Sequence, residues 1–393
     1  MKKYDNYKNS GVEWLGEIPE HWEALSNKFI FNLNKNLVGK KSSEYDLLSL
    51  TLNGVIKRDM ENPQGKFPAE FDTYQEVKRG DFIFCLFDVE ETPRTVGLSD
   101  FDGMITGAYT VMQVNKNFDK SFLYYFYLNL DAGKRMKPLY TGLRNTISKD
   151  NFFSFKTFVP PIQEQTAIAN FLDDKTTKID QAIAIKQQQI ALLQERRQIL
   201  IHKAVTRGLN ENVKLKDSGV EWIGEIPEHW EVKKLGYLTN KIGDGLHGTP
   251  NYTDGTEFYF INGNNLSNGK IIIKSDTKRA DLSEYDKYKK NLNDRTILVS
   301  INGTLGNIAL YNNEKCILGK SACYFNVNAD VDKYFIKYVV TNKDFQEYIR
   351  NFATGTTIPN VSLKTMREYS FFLPPIEEQK AIAEVLSSLD DKI

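Results

Sequence analysis

A fourteen-residue phrase occurs twice in this chain and constrains its architecture more than any other feature. Residues 10–23 read SGVEWLGEIPEHWE and residues 218–231 read SGVEWIGEIPEHWE, so 13 of the 14 positions are identical. A second pair of segments, PPIQEQTAIANFL at 160–172 and PPIEEQKAIAEVL at 374–386, shares nine of 13 residues. The period of about 208 residues is too long for a solenoid, so each copy is predicted to be a unit of domain size.

Between these anchors the two copies share a frame but differ in most side chains. At an offset of 213 residues, Asp119 and Phe122 align with Asp332 and Phe335, whereas most of the residues around them differ. Each copy has enough residues to bury a core of its own. A common frame with different side chains is what two recognition modules for two different targets would need.

The overall charge is balanced, with 51 basic and 51 acidic residues, and a neutral chain is not by itself typical of nucleic-acid binding. The charge is unevenly spread, however. Each repeated phrase carries four Glu and no Lys or Arg, whereas residues 24–159 and 231–373 carry net charges of +2 and +4. This modest positive excess permits contacts with phosphate groups.

The sequence indicates neither export nor a membrane span. No stretch has the apolar run of a signal peptide or of a membrane-spanning helix. The three cysteines, Cys85, Cys316 and Cys323, form no C-x-x-C pair, so neither a disulfide framework nor a zinc site is predicted. We expect a cytoplasmic protein without membrane contact, in which these thiols are buried and reduced.

The segments between the anchors have the pattern of an α+β domain in each copy. Asn and Gly separate short runs of β-branched and aromatic residues. These runs predict strands at 81–87, 109–114, 258–261, 270–273, 296–301 and 322–327. Helical patterns predict helices at 122–130 and 333–350.

A long helix is predicted after the first Pro-Pro pair, because proline is tolerated in the first turn of a helix but not in its interior. No Gly or Pro interrupts residues 163–205, which predicts a helix roughly 60–65 Å long. Its apolar residues form a narrow stripe that requires a partner helix. The stripe residues expected to pack are Ile168, Leu172, Ile179, Ile183, Ile190, Leu193 and Leu200.

The second copy supplies only the start of such a helix, because Ile393 aligns with Ile179. Much of the stripe therefore lacks an in-chain partner of equal length. We expect the stripe to attract another chain, either a different subunit or a second copy of this one. The sequence leaves open whether the short second helix is natural or a truncation.

No catalytic constellation is evident in the sequence. Residues 319–321 (Gly-Lys-Ser) resemble part of a P-loop, but position 314 is Glu where that motif requires Gly. The four histidines are scattered without an oriented partner, and the Asn-Pro-Pro-aromatic motif of an adenine methyltransferase is absent. The chain is therefore predicted not to be an enzyme.

The duplicated units, the P-P-[IL]-x-E-Q-x-x-I-A start of each helix and the G-E-I-P-x-H-W phrase together resemble the specificity subunit of type I restriction-modification systems. The resemblance covers essentially the whole chain, and the DGLHGTP loop at 244–250 is also typical. It implies an α+β fold with two tandem globular target-recognition domains, each followed by a long helix, and the helices pack as an antiparallel coiled-coil spacer. The expected segments are a first domain at 1–159, the spacer helix at 160–207, a linker at 208–217, the second domain at 218–373 and the start of the second helix at 374–393.

The resemblance also implies a function. Each target-recognition domain would read one half of a split sequence in double-stranded DNA, and the helices would fix the distance between the halves. The helices would also dock modification subunits, which carry S-adenosylmethionine and methylate adenine, and restriction subunits that use ATP and Mg²⁺ would join the complex. The chain itself would bind no cofactor and no metal. The alternative is a truncated specificity-like protein that serves as an assembly module without reading DNA; a stand-alone nuclease or methyltransferase is disfavoured by the missing motifs.

Candidate DNA contacts follow from the places where loops and polar side chains coincide, because forked or polar groups read base edges and basic groups contact phosphates. In isolation each of these residues could also be a turn former, since Asn, Gly and Thr are common in turns. The candidates of the first module are Asn53, Lys57, Arg58, Arg144, Asn145 and Lys149. Those of the second module are His247, Thr249, Asn251, Tyr252, Asn262, Asn264, Asn265, Lys320, Ser321, Thr356, Thr357, Asn360 and Lys364.

Overall fold

The computed structural model describes residues 4–61, 70–142, 144–219, 224–355 and 357–390. The chain divides into two units, Met1–Ile183 and Ala184–Ile393, and the division falls inside the longest helix. The domain limits predicted from the sequence, at 159/160 and 217/218, therefore stay a prediction.

The first unit contains short strands, two short helices and the beginning of a long one. Its strands are β1 (Tyr7–Asn9), β2 (Glu17–Pro19), β3 (Glu23–Ser26), β4 (Phe31–Leu33), β5 (Leu48–Thr51), β6 (Gly54–Lys57), β7 (Gln75–Val77), β8 (Phe82–Phe84), β9 (Val96–Leu98), β10 (Gly103–Ile105), β11 (Thr110–Val114), β12 (Tyr140–Thr141), β13 (Thr146–Ile147) and β14 (Lys156–Val159). Its α-helices are α1 (Lys120–Ala132), α2 (Lys149–Ser154) and the start of α3 (Ile162–Arg207). Short 3₁₀ helices lie at Asn27–Phe29, Gly39–Glu44 and Lys137–Leu139.

The second unit begins within α3 and shares the entering strands, the central sheet and the strand that leads out with the first unit, but it has additional helices. Its strands are β15 (Leu215–Asp217), β16 (Glu225–Pro227), β17 (Glu231–Lys234), β18 (Thr239–Gly243), β19 (Phe258–Ile261), β20 (Leu266–Ser267), β21 (Lys270–Ile271), β22 (Arg279–Ala280), β23 (Thr296–Ser300), β24 (Ile308–Leu310), β25 (Cys316–Leu318), β26 (Ala322–Val327) and β27 (Ser370–Leu373). Its further α-helices are α4 (Leu282–Tyr288), α5 (Lys333–Thr341), α6 (Lys343–Asn351), α7 (Leu363–Glu368) and α8 (Ile376–Asp390). Leu235–Tyr237 and Gly263–Asn265 form 3₁₀ helices.

The same antiparallel sheet lies at the centre of both units. Its strand order is β4–β11–β8–β9 in the first unit and β18–β26–β23–β24 in the second. The strands of both sheets are rich in buried aromatic and β-branched side chains, the residues that favour a pleated, half-buried surface. The common frame predicted from the duplicated sequence is therefore present, and the predicted α+β class is confirmed.

The segment that leads into each module pairs with the segment that leaves it. In the first unit β3 pairs antiparallel with β14, and Glu23 lies opposite Val159. In the second unit β17 pairs with β27, and Glu231 lies opposite Leu373. Each module thus starts and ends at one two-stranded seam.

Aromatic rings fill the core of the first unit. The Phe31 ring lies edge-on to those of Phe82 and Phe84, with centroid separations of 5.4 and 5.7 Å, a favoured geometry for aromatic pairs. Tyr127 is buried in the same cluster, and its hydroxyl donates to Asn27 Oδ1 at 2.8 Å. Burial raises the pKa of Tyr127, so this hydroxyl remains a hydrogen-bond donor.

The carboxylate of Glu164, in the first turn of α3, holds the repeated phrase in the first unit. It accepts hydrogen bonds from the Tyr4 hydroxyl at 2.6 Å and from Trp22 Nε1 at 3.1 Å, and His21 Nε2 lies 2.7 Å from its second oxygen. Burial alone would raise the pKa of Glu164, but these hydrogen bonds outweigh burial and lower the pKa below its ordinary value. We call this arrangement the carboxylate clamp.

The second unit repeats the carboxylate clamp. Glu378, in the first turn of α8, accepts a hydrogen bond from Trp230 Nε1 at 3.1 Å, and His229 Nε2 lies 2.8 Å from the same oxygen. Trp230 is buried. The two most similar stretches of the repeat, the GEIPEHW phrase and the P-P-I-x-E-Q segment, are therefore in direct contact with each other in both units.

Gln165, which follows Glu164, joins the start of α3 to the start of α1. Gln165 Nε2 donates to the Pro160 carbonyl at 2.8 Å, and its Oε1 accepts from the Asp119 backbone N–H at 2.9 Å. Asp119 is the N-cap of α1, where its side chain accepts a hydrogen bond from the Phe122 backbone N–H. Gln379 makes the same two hydrogen bonds in the second unit, at the same distances.

The last turns of α3 pack against α8 within the second unit. Arg197 Nε donates to Asp390 Oδ1 at 2.7 Å near one end of this contact. At the other end, Gly208 lies so close to Glu378 that an added Cβ would be 2.8 Å from its carboxylate. The helices are therefore antiparallel, as the sequence predicted, and the buried residues between them include Ile201, Ala204, Val205, Ile382, Ala383 and Leu386.

The middle of α3 is exposed: residues 173–196 are not covered by the described part of the chain. Of the predicted stripe, only three residues are partly buried: Ile168, Leu172 and Leu200. The other four have exposed fractions of 45–57%: Ile179, Ile183, Ile190 and Leu193.

Candidate nucleic-acid interface

Polar loops from separate stretches of the second unit meet at one end of its central sheet. The loop after β18 lies against the backbone just after β25, since Leu246 N–H donates to the Leu318 carbonyl at 2.6 Å. Gly245 permits this approach, because an added Cβ would lie 2.1 Å from the same oxygen. Beyond this contact, His247 Nε2 lies 2.6 Å from Asp244 Oδ2.

A third loop, 354–361, reaches the same place. Val361 N–H donates to the Ile301 carbonyl at 2.8 Å, and Asn302 Nδ2 donates to Asn360 Oδ1 at 3.2 Å. These bonds join the end of β23 to the segment that precedes α7. The three predicted contact clusters of the second module are thus brought together by backbone hydrogen bonds.

A cavity of about 280 Å³ lies among these loops. It contains one predicted candidate from each cluster, although they are far apart in sequence: His247, Lys320 and Asn360. Its other lining residues are Asp244, Ile301, Asn302, Val361, Ser362 and Leu363.

A second cavity, of about 120 Å³, takes in four more candidates: Tyr252, Asn262, Asn264 and Asn265. Lys278 and Lys274 also line it, and the Lys278 ammonium lies 6.0 Å from the centre of the Tyr252 ring. An exposed aromatic ring beside lysines is a suitable surface for nucleic acid, since rings stack on bases and lysines contact phosphates.

Three of the candidates have their polar groups engaged within the loops. Asn265 is buried, and its Nδ2 donates to the Ile272 carbonyl at 3.1 Å and to Thr277 Oγ1 at 3.2 Å. Ser321 Oγ donates to Asn262 Oδ1 at 3.0 Å. These side chains shape the loops, which is the turn-forming role that the sequence left open for them.

The remaining described candidates of the second module do not line these cavities. Thr249, Thr357 and Lys364 are exposed, and the Asn251 backbone N–H donates to Glu284 Oε2 at 2.9 Å. Thr356 lies outside the described residues.

In the first unit, loop 88–95 contacts the segments that carry two of the predicted clusters. Arg94 Nη2 donates to the Leu52 carbonyl at 3.0 Å, next to exposed Asn53 at the tip of the β5–β6 hairpin. On the other side, Asp88 N–H donates to the Arg144 carbonyl at 2.9 Å. The hairpin tip, loop 88–95 and the loop with Arg144 therefore form one surface.

The other candidates of the first module lie on several elements. Asn145 adopts a left-handed backbone conformation with φ of 44°, which Asn tolerates better than most residues. Lys57 Nζ pairs with Asp46 at 2.5 Å, and Arg58 follows it at the end of β6. Lys149 is exposed at the first position of α2.

The third loop occupies the same position in both units. Ile147 N–H donates to the Leu86 carbonyl at 2.8 Å in the first unit, as Val361 does to Ile301 in the second. The loops themselves differ in sequence, reading TGLRNT at 141–146 and TGTTIPN at 354–360. Equivalent scaffolds thus present different side chains.

Loop 88–95 was missed by reasoning from the sequence. Its position is fixed by Asp131 in α1, a buried carboxylate that accepts from Thr95 N–H at 3.0 Å and from Thr95 Oγ1 at 2.7 Å. Lys134 pairs with Asp131 at 2.9 Å and also donates to the Thr92 carbonyl at 2.7 Å. Asn302, Lys274 and Lys278 were missed as well, and no local motif distinguishes them from ordinary loop residues.

Two further observations concern the described ranges only. The described residues contain no group of three or more His, Cys, Asp or Glu side chains placed to hold a metal ion. No helix in them has the length and apolar character needed to cross a membrane. All three cysteines are buried and free, and burial raises the pKa of Cys316 to about 12.

The architecture is that of a protein with two variable modules on one repeated scaffold. Residues 95–195 and 227–393, more than half of the chain, match the family model described as the type I restriction modification DNA specificity domain. The chain belongs to this family, the specificity subunits of type I restriction-modification systems.

Curated relatives agree over nearly the full length. The chain is 26% identical over 416 aligned positions to a putative type I restriction enzyme MjaX specificity subunit of Methanocaldococcus jannaschii, covering 100% of this chain and 91% of that one. It is 24% identical to the type I restriction enzyme StySPI specificity subunit of Salmonella potsdam, covering 95% and 83%. Both relatives are named as specificity subunits of type I restriction enzymes.

Solved structures show the same fold. A chain from a study of complex assembly and conformational transition in the type I R-M system aligns with a TM-score of 0.66 at 14% identity, covering 95% of this chain and 91% of that one. The HsdS subunit from Thermoanaerobacter tengcongensis aligns with a TM-score of 0.53 at 13% identity, covering 95% and 90%.

Proposed function

We propose that this chain reads a bipartite DNA sequence for a type I restriction-modification complex, with one module for each half-site. The observation that carries the proposal is the cavity in the second unit, where His247, Lys320 and Asn360 meet from three separate stretches of sequence. Loops that carry hydrogen-bonding side chains on a rigid scaffold are suited to direct readout of base edges.

The difference between the two modules supports an asymmetric target. The central sheets have the same strand order, yet the third loops present Arg144 and Asn145 in one module and Thr357 and Asn360 in the other. Side chains that differ in donors and acceptors read different bases. Each module is therefore proposed to read its own half-site.

The long helix is proposed to set the number of base pairs between the half-sites and to dock the modification subunits. It is continuous from Ile162 to Arg207, and no Gly or Pro weakens it. Its exposed apolar residues, Ile179, Ile183, Ile190 and Leu193, form a stripe that a helix of another subunit would cover.

The chemistry is proposed to belong to the partner subunits. S-adenosylmethionine would be bound by the modification subunits, and ATP and Mg²⁺ by the restriction subunits. This chain would then determine the DNA sequence at which the reaction takes place, without binding a cofactor.

The direct test is an exchange of modules. Residues 24–159 would be replaced by those of another family member, and the chimera would be expressed with its modification subunits, followed by sequencing of methylated adenines in host DNA. We expect one half of the methylated sequence to change while the other half stays the same. An unchanged sequence in both halves would contradict the proposal.

A second candidate function, assembly without DNA readout, is favoured by the exposed stripe on α3. A chain of this kind would bind modification subunits, or a second copy of itself, and protect no sequence. Footprinting of the complex with modification subunits on random duplexes separates the two candidates, and the mass of the isolated chain in solution reports self-association.

A further inference from the structure

The cavity of about 280 Å³ in the second unit has walls of both charge signs. Asp244 provides a carboxylate and Lys320 an ammonium group, while Asn302 and Asn360 add amides. A site for a phosphate group alone would not include a carboxylate, because like charges repel. The combination of acceptor and donors is better suited to the edge of a base pair.

The groups on the cavity wall are held by backbone contacts. The β18 loop is held by the hydrogen bond from Leu246 to Leu318, and Lys320 follows two residues after that acceptor. The opposite wall is joined by the hydrogen bond from Val361 to Ile301. Rigid placement of donors and acceptors is what base discrimination requires, since a wrong base then leaves them unpaired.

Two charged side chains that line this cavity each keep a polar group available. One carboxylate oxygen of Asp244, Oδ2, is 2.6 Å from His247 Nε2, which fixes the orientation of the carboxylate. Within the described part of the chain, the other oxygen, Oδ1, has no hydrogen-bond partner, and the Lys320 ammonium has neither a hydrogen-bond nor an ion-pair partner. Among its charged side chains, the site thus offers one free carboxylate acceptor and one free cationic donor.

In the major groove, guanine presents two adjacent acceptors, N7 and O6, and its partner cytosine presents the N4 amino donor. Lysine is a usual partner of the guanine acceptors, and an acidic side chain is a usual partner of cytosine N4. An A·T pair places its donor between two acceptors and adds a methyl group, which fits the charged pair of Lys320 and Asp244 less well.

We propose that this cavity reads one G·C base pair of the half-site recognised by the second module, an inference that rests on the proposed DNA-reading function. Lys320 Nζ donates to guanine O6 and N7, and Asp244 Oδ1 accepts from cytosine N4. His247 is a positioning residue that orients the Asp244 carboxylate.

The test uses the full chain in complex with its modification subunits and measures methylation of a duplex library randomised across both half-sites. Lys320→Ala and Asp244→Asn are each expected to relax the preference at the same single G·C position by about 5- to 100-fold. Lys287→Ala is the matched control, because Lys287 is an exposed lysine of α4 (61% of its side chain) that does not line the cavity. The control should leave the preference at that position unchanged.

The half-site read by the first module is an internal standard for folding and assembly, since neither variant touches it. A uniform loss of methylation across all sequences in the Lys320→Ala variant would identify a phosphate contact and overturn the proposal. So would an unchanged preference, an A·T pair at the affected position, or effects of the two variants at different positions. If the unaltered complex methylates no split sequence, the proposed function itself fails, which is a distinct result.

Discussion

The Glu164 carboxylate gathers three donors from one short stretch at the start of the chain. An amide in its place would present an NH2 donor to His21 Nε2 and would carry no charge, so the charge-assisted hydrogen bonds that the carboxylate accepts from Tyr4, His21 and Trp22 would be weakened. We expect Glu164→Gln to lower the free energy of unfolding by about 1–2 kcal/mol. Urea denaturation of the two proteins would measure this difference in the free energy of unfolding. Glu20→Gln is the matched control, because Glu20 is exposed, and should change stability by less than about 0.5 kcal/mol.

The same carboxylate makes the free energy of unfolding depend on pH, and the direction of that dependence follows from its pKa. The pKa of Glu164 is lowered in the folded chain, so its contribution is complete above the ordinary glutamate pKa of 4.5 and is lost as the pH falls through the lowered value. The stability difference between the natural chain and Glu164→Gln should therefore shrink on acidification below 4.5. Unfolding curves at a series of pH values would reveal it, and a constant difference would rule out this source of stability.

At the level of single residues, the sequence points to polar loops but does not show which of these loops meet. His247, Lys320 and Asn360 were each chosen because polar loops favour contact with DNA, but no local pattern indicates that loops so far apart share one cavity. That proximity depends on long-range pairing, such as the Val361–Ile301 hydrogen bond. The role of Glu164 was missed because its partners lie more than 140 residues away.

At the level of elements, the α3–α8 contact separates buried from exposed apolar residues on a single helix. Ile201 is fully buried against α8, whereas Ile199 is 58% exposed. We expect Ile201→Ala to lower the free energy of unfolding by about 2–5 kcal/mol, since it leaves a cavity. Ile199→Ala should cost less than about 1 kcal/mol. Equal effects in urea denaturation would mean that the two helices do not pack in solution.

The exposed stripe on α3 permits a test of docking that is independent of folding. Ile190 is 56% exposed, so Ile190→Asp should leave stability almost unchanged. If a modification subunit covers the stripe, the buried charge should weaken its binding by tenfold or more. Titration calorimetry with the purified modification subunit would measure this. Gln188→Asp is the control, because Gln188 lies in the same exposed stretch but outside the stripe, and it should bind normally.

Element boundaries were predicted well where composition is decisive. Strands at Phe258–Ile261 and Ala322–Val327 have the predicted limits, because turn-forming residues flank strongly β-prone runs. The long helix extends only one or two residues beyond its predicted ends. The single helix predicted at 333–350 is instead two, α5 and α6, broken at Asn342. Asn342 is buried and donates to Asp344, and neither Gly nor Pro signals the break.

At the level of the whole molecule, the length of α3 is the quantity that the proposed spacing role depends on. Inserting seven residues into its exposed middle adds about 10 Å and nearly two full turns. The parts of the helix on either side of the insertion therefore keep almost the same rotation about the helix axis. The two half-sites should keep their sequences while their separation grows by about three base pairs, at 3.4 Å per pair. Sequencing of methylated DNA from a host with the variant would show this.

An unchanged separation would exclude α3 as the determinant of spacing. The control is a variant of the same length as the natural chain with Gln187→Ala, Gln188→Ala and Gln189→Ala in the exposed stretch. This variant preserves helix length and should leave both the half-sites and their separation as they are.

Each module begins and ends at the two-stranded seam formed by β3 with β14 or by β17 with β27. A segment bounded in this way can be replaced by another module, because the replacement need only supply two strands that pair with each other in the same way. Near-identical protein segments, residues 10–23 and 218–231, also lead into the two seams. Under the proposed function, a cell could therefore acquire a new recognition sequence by exchanging one module, without changing the partner subunits.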